Sequence, residues 1–252
     1  MINRDVLLGV LAMTAAFVLP SSAALGGTFS ISPMRLDLSD ASTTAALTVR
    51  NDADVAVVVQ ADALLWEHAD GLDKLTASRE LLVSPVVFTL PPKGSQLVRV
   101  ALRRSADATR ELSYRLTLQE VPQPVSPDFN GLNVTLRLSL PVFVAPHEHA
   151  EPKLEWSARS NDAGELVFTA AYSGGAHARI LNFSVGTLDG STVVFSQPAA
   201  AYVLPGQSRS WTSGHHDDNQ TRTGSTVADA PMFRLKGLTD QGEFAAELPV
   251  QR

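Results

Sequence analysis

The chain has no cysteine, which excludes thiol catalysis, cysteine-based zinc sites and any disulfide framework. It also lacks an excess of positive charge. Its 20 Lys and Arg against 26 Asp and Glu leave a net charge of −6 and a pI near 5.5, the reverse of the basic face that general nucleic-acid binding needs. The catalytic patterns are missing too: there is no Gly-x-Ser-x-Gly elbow, no Gly-x-x-x-x-Gly-Lys phosphate loop and no His-Glu-x-x-His helix. No apolar run reaches the ~20 residues that a membrane-spanning helix needs.

What is present is a globular composition, with 44% hydrophobic and 18% charged residues. Its 252 residues are enough for one large or two ordinary domains. The chain opens on Arg4, an apolar run of 14 residues from Val6 to Leu19, and the small residues Ser21, Ser22, Ala23 and Ala24. That is the layout of a secretory signal peptide, here taken as residues 1–23, with cleavage after Ala24 fitting equally well. The expectation is an exported chain that is not membrane-embedded. Lacking disulfides, it must be held together by core packing.

The remainder reads as short strands separated by turn residues. Phe29 and Ile31 place apolar side chains at odd positions. After Pro33 the apolar positions become even, at Met34, Leu36 and Leu38. A slip of one residue inverts the buried face, so this strand is expected at an edge, with a bulge or a switch between sheets. Further strands are expected over Leu47–Arg50, Val55–Trp66 up to the Asp70-Gly71 turn, Val83–Leu90, Ser95–Leu102 after Pro91-Pro92-Lys93-Gly94, and Leu112–Gln119. A Pro-containing loop from Val121 to Asn130 follows.

The longest alternation comes next, from Leu132 to Pro146. Val134, Leu136, Leu138, Leu140, Val142 and Val144 share one face. Such a strand either lines its own core or lends part of its apolar face to the core of another molecule. It completes seven strands in about 120 residues, the spacing of an immunoglobulin-like sandwich. After a polar hinge from His147 to Pro152, the pattern restarts over Lys153–Ala158, Glu165–Tyr172, Ile180–Val185, Thr192–Phe195, Tyr202–Leu204, Ser208–Thr212, Met232–Leu235 and Phe244–Val250. The chain is therefore expected to be all-β, with immunoglobulin-like sandwiches over 24–146 and 147–252 set at an angle. Ser213–Ala228 is a polar loop without periodicity.

Few residues suggest chemistry. His147-Glu148-His149 has the spacing of an extended hinge. His215-His216-Asp217-Asp218 is the better metal candidate by ligand type, but no metal site or cofactor is assigned to either. Trp66 and Trp156 belong to apolar strands and are expected as core or interface aromatics. Arg35, Arg115 and Arg137 lie inside strands, opposite the main apolar residues. Each is either an exposed charge that deters edge pairing or part of a converging cluster. Arginine grips a carboxylate through two parallel hydrogen bonds, so a cleft holding two of them suits a chain terminus.

Together these stretches resemble the periplasmic pilus chaperones of the chaperone–usher pathway. The likeness runs through Ser32-Pro33-Met34-Arg35, Thr89-Leu90-Pro91-Pro92, Gln96-Leu97-Val98-Arg99-Val100, Tyr114–Pro122 and Leu138–Pro146. It implies two angled immunoglobulin-like domains, no enzymatic activity, and periplasmic residence. Members bind pilus or fimbrial subunits that lack the last strand of their own fold, filling the gap with the final strand of the first domain. They then pass the subunit to an outer-membrane usher.

Carried onto this chain, the resemblance makes Val134, Leu136, Leu138 and Leu140 the donor residues and Arg35 the first anchor of the subunit's terminal carboxylate. The second anchor position of the best-known members is Pro141 here, which leaves Arg115 or Arg137 to take that part. The departure places the chain nearer the divergent branch that assembles simpler pili or surface coats. An exposed donor strand also invites self-association when no subunit is present. The alternative is an exported pilus or surface structural subunit. A subunit would carry a free N-terminal extension and one incomplete sandwich, whereas Ala24–Thr28 is too short for such an extension and two sandwiches are expected.

Overall fold

A computed structural model describes residues 29–122, 134–148, 153–198, 200–213 and 230–251. The leader reading, 123–130 of the Pro-containing loop, the first two residues of the long alternation, His149, and the 214–228 part of the polar loop with its His215-His216-Asp217-Asp218 candidate fall outside them. Every described element is a strand.

In the first domain β1 (Phe29–Ser32), β3 (Thr44–Asn51), β8 (Ser95–Leu102) and β6 (Leu81–Ser84) form one antiparallel sheet in the order β1-β3-β8-β6. The facing sheet has the order β2-β10-β9-β4-β5, built from β2 (Leu36–Leu38), β10 (Arg137–Val144), β9 (Leu112–Glu120), β4 (Val57–Ala69) and β5 (Leu72–Ala77). β7 (Val87–Leu90) pairs with the beginning of β4. Between the sheets lie Leu47, Val49, Val59, Leu90, Val98, Val100, Tyr114, Leu116, Leu118 and Val142, each at most 1% exposed. The Tyr114 hydroxyl, the one polar atom that this packing carries, donates to Glu80 Oε2 at 2.6 Å.

The slip at Pro33 is a switch between sheets. β1 pairs antiparallel with β3, whereas β2 pairs parallel with β10 in the opposite layer. A second switch occurs where the sequence reading placed a single strand over Val83–Leu90. β6 pairs with β8 and β7 with β4, on either side of Pro85. The physical reason is the same at both places. Leu81 is buried at an odd position, Phe88 and Leu90 at even ones, and proline at the slip has no N–H to offer either ladder. β5 was not expected at all. Every one of its residues is exposed, and it follows from the turn alone: Asp70 and Gly71 have φ of 53° and 78°, which suits a tight hairpin between twisted strands.

Asn51, fully buried, closes the β3 end of the sandwich. Its amide donates to the carbonyls of Val55, Leu90 and Pro91 at 2.7, 3.2 and 3.0 Å, and its oxygen accepts from the N–H of Ala53 at 2.9 Å.

The second domain holds β11 (Leu154–Ser160), β12 (Leu166–Tyr172), β13 (Ala178–Gly186), β14 (Val193–Gln197), β15 (Ala201–Val203), β16 (Ser208–Thr212), β17 (Met232–Thr239) and β18 (Gly242–Gln251). β16-β12-β11 and β14-β13-β17-β18 are antiparallel sets, joined where β18 runs parallel to β11. They close over Phe168, Phe183, Phe195 and Phe233, with the Phe168 and Phe195 rings 5.4 Å apart across the core. Trp156 stacks on Phe244 at 5.6 Å and on Trp211 at 5.8 Å.

Candidate functional site

β10 has two different neighbours. Along its whole length it pairs with β9, Arg137 opposite Gln119 through Val144 opposite Leu112. On its other side β2 pairs only with Val142–Val144. Alternate peptide groups of a strand point to opposite edges. The N–H of Ala145 donates to Leu38 at 2.9 Å, so odd-numbered groups face the β2 side. The carbonyl of Leu136 accepts from Glu120 at 2.9 Å, so even-numbered groups face β9. Arg137 and Ser139 therefore present their backbone to an edge that no described strand covers. Pro141 sits where its missing N–H costs the β9 ladder nothing, as proline in strands must.

The side chains divide as sharply. Leu140, Val142 and Val144 are at most 1% exposed and belong to the first domain's own core. Leu136 and Leu138 are partly buried at its margin, and Val134 is 78% exposed. Strand structure starts at Arg137 and not, within the described residues, at Val134. Just before Arg137, Leu136 is still held to the end of β9, its carbonyl accepting the Glu120 N–H and its own N–H donating to the Glu120 carboxylate at 3.3 Å. Leu140 is thus committed to its own domain, although its place in the alternation is the same as that of Leu138.

The odd face of β10 meets the second domain. Phe143 is 1% exposed and stacks on His177 with ring centroids 3.7 Å apart. Trp66 and Tyr202 complete this aromatic cluster, their rings 5.4 Å apart and 6.0 and 5.6 Å from Phe143. Trp66 and Phe143 come from the first domain, His177 and Tyr202 from the second.

Polar contacts close the seam on both sides of the rings. Glu111 Oε1 lies 2.7 Å from His177 Nδ1 with both side chains buried, and the Glu111 N–H donates to Gly175 at 2.6 Å. On the other side His68 Nε2 lies 3.1 Å from the Tyr202 carbonyl, and the His68 N–H donates to the Gln207 side chain. Asp73 Oδ1 accepts from Trp66 Nε1 at 3.0 Å and from Arg209 Nη1 at 3.1 Å, and His68 Nδ1 is 3.1 Å away. Burial alone would push the Asp73 carboxyl up, but His68, Arg209 and Trp66 outweigh it and hold it at about 2. The hairpin tip docks as well: Ser210 N–H reaches the Gly71 carbonyl at 3.4 Å.

Two of the three arginines singled out in the sequence border this cluster. Arg35 lies 5.2 Å from the Phe143 ring centroid and pairs with Asp37 at 2.7 Å. Burial works against its charge, yet Asp37, and beyond it Tyr202 and Glu111, raise it above its ordinary value. Arg115 stands opposite Pro141, with its guanidinium 3.7 Å from the Trp66 centroid and 5.8 Å from that of Tyr202. Among the described residues it forms no ion pair, and burial pulls it below its ordinary value against the attraction of Asp73 and Tyr202. It stays cationic at any ordinary pH, a partly desolvated charge that an anion would relieve. Arg137 is on the same face but four residues from Pro141, about 13 Å along the strand. It shares a groove with Asp62, Leu82, Arg103 and Thr117. It does not meet the other two.

The second-domain members of the seam, among them Tyr202, His177 and Arg179, were not identified from sequence. Arg179 lies directly across from Tyr202 in the β13–β15 ladder, with its guanidinium 5.7 Å from the phenol ring. The only signal was an aromatic and a basic residue on neighbouring short strands, which nothing local distinguishes from surface residues.

His147 Nδ1 lies 2.6 Å from Asp40, and its backbone N–H donates to the Asp107 carbonyl at 3.1 Å. No group of three His, Asp or Glu side chains among the described residues could hold a metal ion.

The sequence model of a family described as pili and flagellar-assembly chaperone, PapD N-terminal domain, matches residues 28–150. No curated protein sequence matches. Among solved structures, a chain of the CsuC–CsuE chaperone–tip adhesion subunit pre-assembly complex, from archaic chaperone-usher Csu pili of Acinetobacter baumannii, is 18% identical. The match covers 90% of this chain and all of that one, at a TM-score of 0.63. The YadV chaperone is 14% identical over 88% of this chain and all of its own, with a TM-score of 0.60. The E. coli chaperone DraB is 19% identical over 88% of this chain and 97% of its own, with a TM-score of 0.56. At these identities the structures establish a shared two-domain β-sandwich fold.

Proposed function

We propose that the chain, which through its first domain belongs with the pili and flagellar-assembly chaperones, a family of chaperones and not of enzymes, captures pilus subunits by lending them the outer edge of β10. The observation that carries this is the edge itself: pairing with β2 reaches only to Val142, and on that side of β10 no described strand lies beside Ser139 and Arg137, whose other neighbour is β9. A subunit lacking one strand would add its own edge there, with backbone hydrogen bonds providing register and affinity.

The donor side chains are Val134, Leu136 and Leu138. Fully burying each contributes roughly 1.5–3 kcal/mol, so three supply a gross term of about 5–9 kcal/mol. Leu140 stays home, because withdrawing it would open the first domain's core. The subunit's terminal carboxylate would be held by Arg35 and Arg115 in the seam between the domains. Arg115 supplies from the neighbouring strand the charge that Pro141 cannot. Arg137, about 13 Å further along, would contact the body of the subunit and not its terminus.

In this reading the protein works in the periplasm and passes its cargo to an outer-membrane usher, with no nucleotide needed if the next subunit's own strand fits the gap better. The test is co-expression of the chain with its cognate subunit. Leu138→Asp should abolish copurification while leaving the chaperone folded, with a wild-type far-UV spectrum and a cooperative melting transition. Subunit recovered at wild-type yield would refute strand donation.

A further inference from the structure

Tyr202 is held more firmly than an aromatic spacer requires. Its carbonyl lies 3.1 Å from His68 Nε2; a carbonyl only accepts, so that nitrogen carries the proton. Its ring is packed against Trp66 at 5.4 Å, Phe143 at 5.6 Å and His177 at 5.4 Å. Two guanidiniums, Arg115 and Arg179, lie 5.8 and 5.7 Å from its centroid. A phenylalanine would make every one of these ring contacts. The hydroxyl is the exception, for it has no hydrogen-bond partner among the described residues; the ring that carries it lies 5.8 Å from the Arg115 guanidinium and packs on Phe143, over which Arg35 sits at 5.2 Å.

The surroundings are rich in donors and poor in acceptors. Arg35 spends Nε and Nη2 on Asp37, which leaves Nη1 unengaged. Arg115 has no ion pair, and Nε of Arg179 is buried without a partner. A buried or half-buried donor left unmatched is costly, and the group that satisfies several converging donors at once is an anion with two oxygens. We infer that the hydroxyl of Tyr202 is a third donor to the carboxylate seated by Arg35 and Arg115, so that the anchor spans both domains. This rests on the carboxylate-anchor reading above and adds to it a second-domain residue. It has a consequence: the carboxylate becomes a bridge across the seam, and its binding and the docking of the two domains reinforce one another.

The test uses the full exported chain and two N-acetylated peptides of identical alternating Val-Thr sequence, one ending in a free carboxylate and the other in an amide. Binding is followed by titration of the Trp66 indole signal in heteronuclear NMR spectra. The wild type should prefer the acid, and Tyr202→Phe should cut that preference about tenfold, as loss of a hydrogen bond to a charged group does. Amide affinity and melting temperature should not change, because the ring contacts remain. An unaltered acid preference in Tyr202→Phe overturns the inference. So does an equal fall for acid and amide, which would mark a purely structural role. If the wild type itself shows no acid preference, the carboxylate anchor fails and this inference fails with it. If the preference survives Tyr202→Phe but is lost in Arg115→Gln, the anchor stands and Tyr202 is not part of it.

Discussion

Pro141 and Arg115 face one another across the β10–β9 ladder. A strand position that carries no charge is thus matched by a guanidinium on the adjacent strand, on the same face of the sheet and over the Trp66 ring at 3.7 Å. Replacing a cation at one rung by a cation at its cross-strand neighbour displaces it by only about 5 Å, which a flexible arginine easily spans. In the proposed function, the carboxylate seat is then a property of the face and not of one sequence position.

Because Arg115 has no counter-ion of its own, its removal should separate stability from binding. Arg115→Gln loses a cation–π contact of about 0.5–2 kcal/mol and should lower the melting temperature by only a few degrees. Its affinity for a peptide with a free terminal carboxylate should fall about tenfold or more. Arg35→Ala should weaken the same binding and release Asp37. Wild-type affinity in both variants, measured against the acid peptide, would exclude them as the anchor.

Leu138 and Leu140 test where the lent segment ends. Leu140 is 1% exposed among Leu116, Val142 and the facing sheet, so Leu140→Ala should cost about 2–5 kcal/mol of stability. Leu138→Ala, at the margin of the core, should cost clearly less and act chiefly on subunit capture. Chemical denaturation of the two variants decides. Equal losses would place the boundary elsewhere.

Gly71 is required twice over. Its φ is 78°, and a Cβ would come within 2.9 Å of the Ser210 Cβ and 3.0 Å of its backbone nitrogen. Gly164 has a similar φ of 75° but nothing within 4 Å. Each Gly→Ala change carries the backbone cost of about 1–2 kcal/mol. Only Gly71→Ala should in addition loosen the domains, seen as a larger radius of gyration in small-angle scattering. Identical scattering from the two variants would mean that the hairpin tip does not hold the seam.

Asp73 should make the docking acid-sensitive only at low pH. Its folded value, about 2, lies below the ordinary 3.8. The carboxylate therefore stabilises the folded protein fully above about pH 4, and this contribution is lost as pH falls towards 2. The wild type should lose melting temperature more steeply between pH 4 and 2 than Asp73→Asn does, with the two curves parallel above pH 5. Parallel curves throughout would remove Asp73 as the seam's electrostatic hub.

How much of this was legible in the sequence can be argued residue by residue. The parity change after Pro33 announced a bulge or a switch between layers, of which the structure has the switch, and the same signal at Pro85 was present but passed over. Leu81 and Val83 are odd and Phe88 and Leu90 even, yet the run of apolar residues hides the slip. β5 had no pattern to read, since all of its side chains are exposed and it exists only because the Asp70-Gly71 turn returns the chain along β4.

Periodicity, proline placement and the absence of cysteine determined an all-β chain in two parts, and marked Leu132–Pro146 as its special strand. These are local properties, set by which side chains share a face and which backbone groups can pair. The alternation could not say which even residues of β10 belong to the chain's own core. That depends on which of them the rest of the first domain's core covers, a matter of contacts remote in sequence. Nor could it bring Arg35, Arg115 and Tyr202 to one seam. Only the docking of the second domain on Trp66 and Phe143 decided that, because convergence of charge across a domain boundary has no period for a sequence to display.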